Sequence, residues 1–279
     1  MDALSTPFSN PTWQALARET DLSAQLICSG ASDISRADYT SHGRYATAQF
    51  GFANGLERLG KLILTSDSLL TTGKPMSDAS LRKKGHAVST LLDEVERVQH
   101  RRNIAPDHPR PDNPIATAVL ACLDDFASAT RGRYANHASL HGRQSPHEPI
   151  ALWWKSVCEP ILKAHFDGTD RRKRAVEESR VVGGLLKSVG TALHFHEDGS
   201  VITDLSQLSL MTHEREITQK WGRYYSLIHA RWLSDVFAEL TRKAGYTPGW
   251  EFVMGHYERL ATFRVADDFL RNRKNWPLI

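Results

Sequence analysis

Two apolar stripes that follow one another between Ser41 and Arg102 constrain this chain more than any other feature of its sequence. Tyr45, Phe52, Leu56, Leu59 and Ile63 stand seven, four, three and four residues apart, a spacing that draws them down one side of a helix. Val88, Leu91, Leu92, Val95 and Val98 repeat the pattern on a second arm, expected to begin near Ser77 and to match the first arm, His42 to Leu70, in length. Between the arms, Thr71-Thr72-Gly73-Lys74-Pro75-Met76-Ser77-Asp78 is rich in turn formers. So short a connection favours antiparallel neighbours. The expectation is a long antiparallel helical hairpin.

The polar residues of that hairpin carry a family resemblance. Gly55-Leu56-Glu57-Arg58-Leu59-Gly60-Lys61-Leu62 on the first arm and Lys83-Lys84-Gly85-His86-Ala87-Val88 on the second resemble the core hairpin of HEPN-type (higher eukaryote and prokaryote nucleotide-binding) helical proteins. The resemblance covers the first half of the chain. It implies an all-helical domain, often a homodimer, of a kind found among metal-independent ribonucleases, toxins and phage-defence components, and also among members without activity. The same residues have a plainer reading. Glu57 and Lys61, four apart, form a supporting ion pair on a helix face, and His86 reads as a hydrogen-bonded structural histidine.

Composition enters where it excludes other classes. With 279 residues, 41% of them apolar, the chain can bury a substantial core in one large domain or two modest ones. No run approaches the roughly 18 uninterrupted apolar residues of a membrane span. Met1-Asp2-Ala3-Leu4-Ser5-Thr6-Pro7 lacks the basic and apolar regions of a signal peptide, so a cytoplasmic location is expected. Cys28, Cys122 and Cys158 are odd in number and far apart, and read as buried thiols. A net charge of +3 permits contact with nucleic acid without requiring it. Positive charge is concentrated at Arg101-Arg102, at Arg131 with Arg133, and at Asp170-Arg171-Arg172-Lys173-Arg174, the last reading as the solvated start of a helix.

Along the rest of the chain, Ser9-Asn10-Pro11-Thr12 marks the start of a short helix, Ser23 to Ser29 a second one ended by Gly30, and Ala31 to Tyr39 a connector. Four prolines in the stretch from Asn103 to Pro114 make the strongest break. A third long helix is expected to start at Asn113-Pro114, to bury Ile115, Val119, Cys122, Leu123 and Phe126, and to run on through Arg133 and His137 toward His141-Gly142. Gln144 to Pro149 forms a loop. Ile150 to Leu162 then reads as an apolar-faced helix, followed by another over Arg171 to Val189. Glu197-Asp198-Gly199 is an Asp-Gly hairpin signal between Leu193-His196 and Ser200-Thr203. Ser206 to Ala244 is helical in pattern, as are Pro248 to His256 and Leu260 to Arg273, before a basic, aromatic end at Arg271 to Trp276.

Three constellations carry candidate chemistry. Arg102-Asn103 followed by His108, with Arg101 beside them, resembles the arginine, polar residue and downstream histidine of HEPN ribonucleases. A histidine can move the 2′-hydroxyl proton while an arginine holds the phosphate with two hydrogen bonds. Six residues turn about 240° on a helix, so Arg102 and His108 converge only if the helix ends between them. Arg131-Gly132-Arg133-Tyr134-Ala135-Asn136-His137 is the competing stretch, with Arg133 and His137 on one face; its other reading is a helix end where basic residues are favoured anyway. His194 and His196 share a strand face beside Glu197 and Asp198, but no second ligand group stands at recognised spacing. No metal or cofactor is therefore expected. There is no phosphate-binding glycine loop, nucleophile elbow or His-Glu-x-x-His helix.

The sequence thus predicts a mainly α protein: a HEPN-like helical bundle on a long antiparallel hairpin, with further helices and one small β-hairpin in the C-terminal half. Residues 1–143 are expected to form the HEPN-like domain and 144–279 a helical C-terminal region, packed into the same globule or separate. The functional expectation is metal-independent cleavage or binding of RNA or a nucleotide, of bacterial defence or toxin type, by a homodimer. Its catalytic candidates are Arg133, His137, Arg102 and His108, and its nucleic-acid-binding candidates are Arg131, Asn136, Asn103 and Arg101. The alternative is a non-catalytic module in which the hairpin dimerises and the C-terminus docks a protein partner.

Overall fold

Asn10 and Pro11 start a helix as their residue types dictate: the Asn10 side chain accepts the Thr12 N–H at 2.8 Å and Pro11 takes the first turn. The resulting α1 (Pro11–Ile34) is one rod, where the sequence predicts a short helix, then a second over Ser23 to Ser29 ended by Gly30, and a connector from Ala31. Gly30 is interior to it because the backbone of α2 (His42–Thr72) passes there. A Cβ on Gly30 would lie 3.0 Å from the Ala48 oxygen and the Phe52 nitrogen; one on Gly51 would lie 2.7 Å from the Leu26 oxygen; one on Gly55 would lie 2.6 Å from Ile27 Cγ1. Glycine serves here for close approach, and α1 and α2 pack antiparallel along this seam.

The chain is described from a computed structural model that covers residues 9–128, 131–132, 137, 140–141, 145–188, 190, 192–245, 247 and 249–277. Every residue of the first predicted stripe is buried, and so is every residue of the second. The second arm, however, is not one helix of matching length. Ser77 caps a six-residue α3 (Asp78–Lys83), the backbone turns through Gly85 at φ +69°, and α4 (Val88–Arg101) begins anew. Ala87, at the α4 N-cap, supplies no side-chain bond. Asp124 does so from another helix, accepting the N–H groups of Val88 and Ser89, which satisfies orphan donors at the positive end of α4.

That other helix is α5 (Pro114–Ala127), capped by Asn113, whose side chain accepts the Ala116 N–H at 2.9 Å. It does not run on toward Gly142: Ser128 is extended, and the chain folds back so that the Gly132 N–H reaches the Asp125 oxygen at 3.0 Å. The proline-rich break is as predicted, with Asn103 at φ +50° ending the α4 rod. The predicted Ile150–Leu162 helix is α6 (Pro149–Trp153) and α7 (Glu159–His165) joined by a π-turn, Trp154–Cys158. Pro160 has no N–H for the regular ladder, and the Glu159 N–H instead reaches Trp154.

After α8 (Asp170–Leu186) come β1 (His194–Phe195) and β2 (Val201–Ile202), paired antiparallel with His194 opposite Ile202. The turn is a three-residue loop, with Gly199 at φ +86° and Asp198 outside the left-handed region. The 41-residue α9 (Leu205–Gly245) crosses the molecule and buries Leu227, Ile228, Trp232, Val236, Phe237 and Leu240. The two predicted C-terminal helices are short 3₁₀ turns, Glu251–Val253 and His256–Phe263, followed by α10 (Asp267–Asn272). Buried Arg223 of α9 donates to the carbonyls of Leu270 and Arg271 and to Ser35, tying α10 to α1 through its negative end. One buried apolar cluster runs from Leu16 through both halves of the sequence to Trp276.

His229 sits inside this cluster. Its Nε2 donates to the Ala116 oxygen at 3.0 Å, its Nδ1 is buried without a partner, and burial pushes its pKa down to about 4. The native ring is neutral while the unfolded ring protonates near the ordinary value, about 6.5. Stability is therefore complete above pH 6.5 and falls as pH drops through that value toward 4, by about 3 kcal/mol. The urea midpoint of the parent should fall across this range relative to that of a His229→Gln variant, which shares every other titrating group. Equal slopes in the two proteins would assign the effect elsewhere.

Candidate functional site

Asn54, Glu57 and Lys61 lie three and four residues apart and so share one face of α2. Lys61 Nζ donates to Glu57 Oε1 at 2.7 Å, the supporting pair predicted from the spacing. A second base reaches the same carboxylate from the turn that Gly85 makes: His86 Nδ1 lies 3.1 Å from both Glu57 oxygens. Glu57 and Lys61 are mostly covered, whereas the His86 side chain is 75% exposed. A carboxylate at Nδ1 fixes the tautomer and orientation of an imidazole. Here it leaves Nε2 without a hydrogen-bond partner among the described residues.

Two cavities open onto this cluster. The larger, 750 Å³, has Leu16, Leu62, Leu69 and Leu81 in its lining and Glu19, Asn54, Glu57, Arg58, Lys61 and His86 among its polar groups. The smaller, 510 Å³, is lined by Asn54, Glu57 and His86 together with Asp124, Phe126 and Arg131. Arg131 is held at the end of α5 by Asp125, its Nε 3.1 Å from Oδ1, and remains half exposed. Asp125 itself is buried and also receives His147 Nδ1 at 2.8 Å. Of the hairpin residues that carry the resemblance, Glu57, His86 and Ala87 therefore border one cleft with the first residue of the Arg131–His137 stretch. Arg58, Lys61 and Arg131 are each paired with an acid, Glu19, Glu57 and Asp125, so a ligand with an anionic group and flat apolar parts would meet cations that are already partnered, an oriented imidazole and an amide around an apolar floor.

The other predicted residues are placed elsewhere. Arg101 and Arg102 both bind Asp67; Arg102 Nε lies 2.7 Å from Oδ1, and its remaining donors reach the Asp67 carbonyl and Thr71. His108 is bound through its backbone N–H (3.1 Å) and Nδ1 (2.8 Å) to Asp235, which also accepts Arg264 Nε at 2.8 Å. Arg102 and His108 are thus engaged by different carboxylates, and the cavity that Arg102 lines is not bordered by His108. Asn103 is the positive-φ residue that ends α4. His137 is exposed. Arg133 and Asn136 lie outside the described residues. A further cavity, 630 Å³, borders the proline-rich segment, but its Arg110 is neutralised by Asp93 and Glu96.

Sequence reasoning found Glu57, Lys61 and His86 but read them as structural, and it did not find Asn54 or Asp124. Asn54 follows the Glu57–Lys61 register back one turn, which is a usable signal. Asp124 gives none, because the helix that it caps is distant in sequence.

The described residues define a mainly helical protein with one two-stranded hairpin near 194–202. Compared with protein-family models, with curated proteins and with solved structures, the chain matches none. Among the described residues no group of three or more His, Cys, Asp or Glu side chains is placed to hold a metal ion, and no helix is long and apolar enough to cross a membrane.

Proposed function

We propose that the chain binds RNA in the cleft between α2, the α3–α4 turn and the end of α5, and cleaves it without a metal ion. The observation that carries this reading is the shared cleft of His86, Glu57 and Arg131. In it, His86 Nε2 takes the proton of a 2′-hydroxyl, the oxygen attacks the adjacent phosphorus, the bond to the 5′ oxygen breaks, and His86 returns the proton to that leaving oxygen. Glu57 steadies the imidazolium, while Arg131 holds the phosphate oxygens as charge builds on them. The products carry a 2′,3′-cyclic phosphate and a 5′-hydroxyl. The homodimer and the defence or toxin setting belong to the same proposal and rest on the family resemblance.

The RNA reading is preferred to a docking C-terminus because Trp276 is buried in the chain's own core, stacks on Phe263 and is covered by Arg273.

The test is incubation of purified protein with a mixed pool of labelled RNAs in excess EDTA. Cleavage should survive chelation and fall at least about 100-fold in His86→Ala, the usual scale for loss of a general base. Arg131→Ala should weaken RNA retention in a gel-shift assay. Cleavage that persists in His86→Ala but fails in Arg102→Ala or His108→Ala would move the chemistry to the proline-rich end of α4. No cleavage and no RNA retention by the parent would end the proposal.

A further inference from the structure

We propose that the β-hairpin is a pH-released latch, seated on the helical bundle only while the Glu197 carboxyl at its tip is uncharged. This does not depend on the RNA reading, and its readout is independent of cleavage.

The hairpin is built to drive one acid inward. His196 donates its N–H to the Ser200 oxygen at 2.8 Å and accepts the Gly199 N–H at 2.9 Å, while the Asp198 carboxylate accepts the Ser200 N–H at 2.8 Å. Within this rigid turn Phe195 and Val201 face solvent, and Ile202 and Glu197 are buried. Glu197 Oε1 accepts the Tyr45 hydroxyl at 3.0 Å; Oε2 is buried with no hydrogen-bond partner. A buried carboxylate without a cation or a full set of donors is costly, and protonation relieves it.

Among the described residues, no lysine or arginine pairs with it from the elements packed around it. α2 presents Tyr45 and His42, the α1–α2 connection presents Tyr39 and Asp38, the π-turn and α7 present Cys158 and Glu159, and the hairpin presents His196 and Asp198. Arg215, which faces Tyr39 on this side, is bound to Asp38 at 3.2 Å. The His196 Nδ1 lies 3.8 Å from Glu197 Oε2, but it accepts the Asp198 N–H and lies nearer, at 3.2 Å, to the Asp198 carboxylate, and burial holds its pKa below the ordinary histidine value. Burial, opposed by hydrogen bonds from its own backbone N–H and from Tyr45 and reinforced by Asp38 and Asp198, pushes the Glu197 pKa up to about 7.

The sign follows. A free glutamate loses its proton near 4.5, whereas the seated one keeps it until about 7. The seated hairpin is therefore favoured most below pH 4.5, loses ground as pH rises through that window and levels off above 7, an increase in the release equilibrium of about 300-fold. Release uncovers Trp154, whose ring meets His196 edge-on at 4.5 Å.

Hydrogen exchange on the full chain at pH 5 and pH 8, corrected for the intrinsic pH dependence of exchange, tests this. Amides of residues 194–202 should lose at least about 30-fold of their protection at pH 8, with central α9 amides as the internal reference. Glu197→Gln mimics the uncharged acid and should hold its protection at both pH values. Unchanged hairpin protection in the parent overturns the proposal, as does an undiminished pH response in Glu197→Gln. Should that variant fail to fold, the midpoint of the parent's own profile decides: between 4.5 and 7 it supports the latch, and outside that window it refutes it.

Discussion

Gly51→Val should be among the most destabilising single substitutions in this protein, at more than about 3 kcal/mol, and even Gly51→Ala should cost about 1–3 kcal/mol. The Cβ of alanine would sit 2.7 Å from the Leu26 oxygen and 2.8 Å from the Gly30 nitrogen. Both neighbours are backbone atoms of a regular helix, so no side chain can rotate away and α1 and α2 must separate. Separation loosens the apolar contacts that the stripe of α2 makes on either side of the seam, and dispersion falls steeply with such gaps. The gain in helix propensity from replacing glycine, about 0.5–1 kcal/mol, offsets only part of this. Gly43, in the first turn of the same helix, has nothing within 4 Å of a built Cβ and provides the control: Gly43→Ala should raise stability slightly. Urea unfolding of the three variants measures the contrast, and a Gly51→Ala protein as stable as the parent would show that the two helices do not meet at this seam.

Asp235→Ala should cost about 3 kcal/mol. The carboxylate is buried on α9 and accepts three donors, the His108 N–H, His108 Nδ1 and Arg264 Nε. Through them it ties the proline-rich segment and the C-terminal region to the longest helix. Prolines cannot contribute backbone donors, so that segment depends on such side-chain anchors. Removing the acid leaves Arg264 with Asp107 alone at 3.3 Å. The cost stays at the lower end of the range because His108 and Arg264 are a third and a quarter exposed and can rehydrate. Limited proteolysis between Asn103 and Asn113 should accelerate in the variant. Unaltered cutting and an unaltered urea midpoint would show that the segment is held by other contacts. Asp235→Asn, which keeps the shape and one acceptor, should lose less.

What was legible in the sequence follows from local physics. The stripes on α2 and α4, the caps Asn10 and Asn113, the proline-rich break and the Glu197-Asp198-Gly199 turn each depend on residues within one or two turns of each other, and each is where its spacing puts it. The failures share a cause too. Gly30 reads locally as a helix stop, but its role is set by a backbone that returns some twenty residues later. The second arm reads as one helix because nothing local shows that Asp124 restarts it at Val88. Nothing local in the Arg271–Trp276 tail shows that Trp276 packs against Phe263 and Phe269.

The candidate site divides in the same way. Charge spacing on α2 is enough to pair Glu57 with Lys61, since side chains four apart on a helix must be neighbours. The approach of His86 to that pair, the arrival of Arg131 on the other wall of the cleft, and the sharing of Asp67 by Arg101 and Arg102 are contacts between distant parts of the chain. Periodicity carries no information about which distant side chain meets which. The sequence by itself therefore determined the helices, most of their ends and the faces they bury, because propensity, capping and amphipathic spacing act over a few residues. Only the tertiary structure decided which carboxylate holds each arginine and histidine, and so which of them border a shared cleft, because that choice is made by packing the whole core at once.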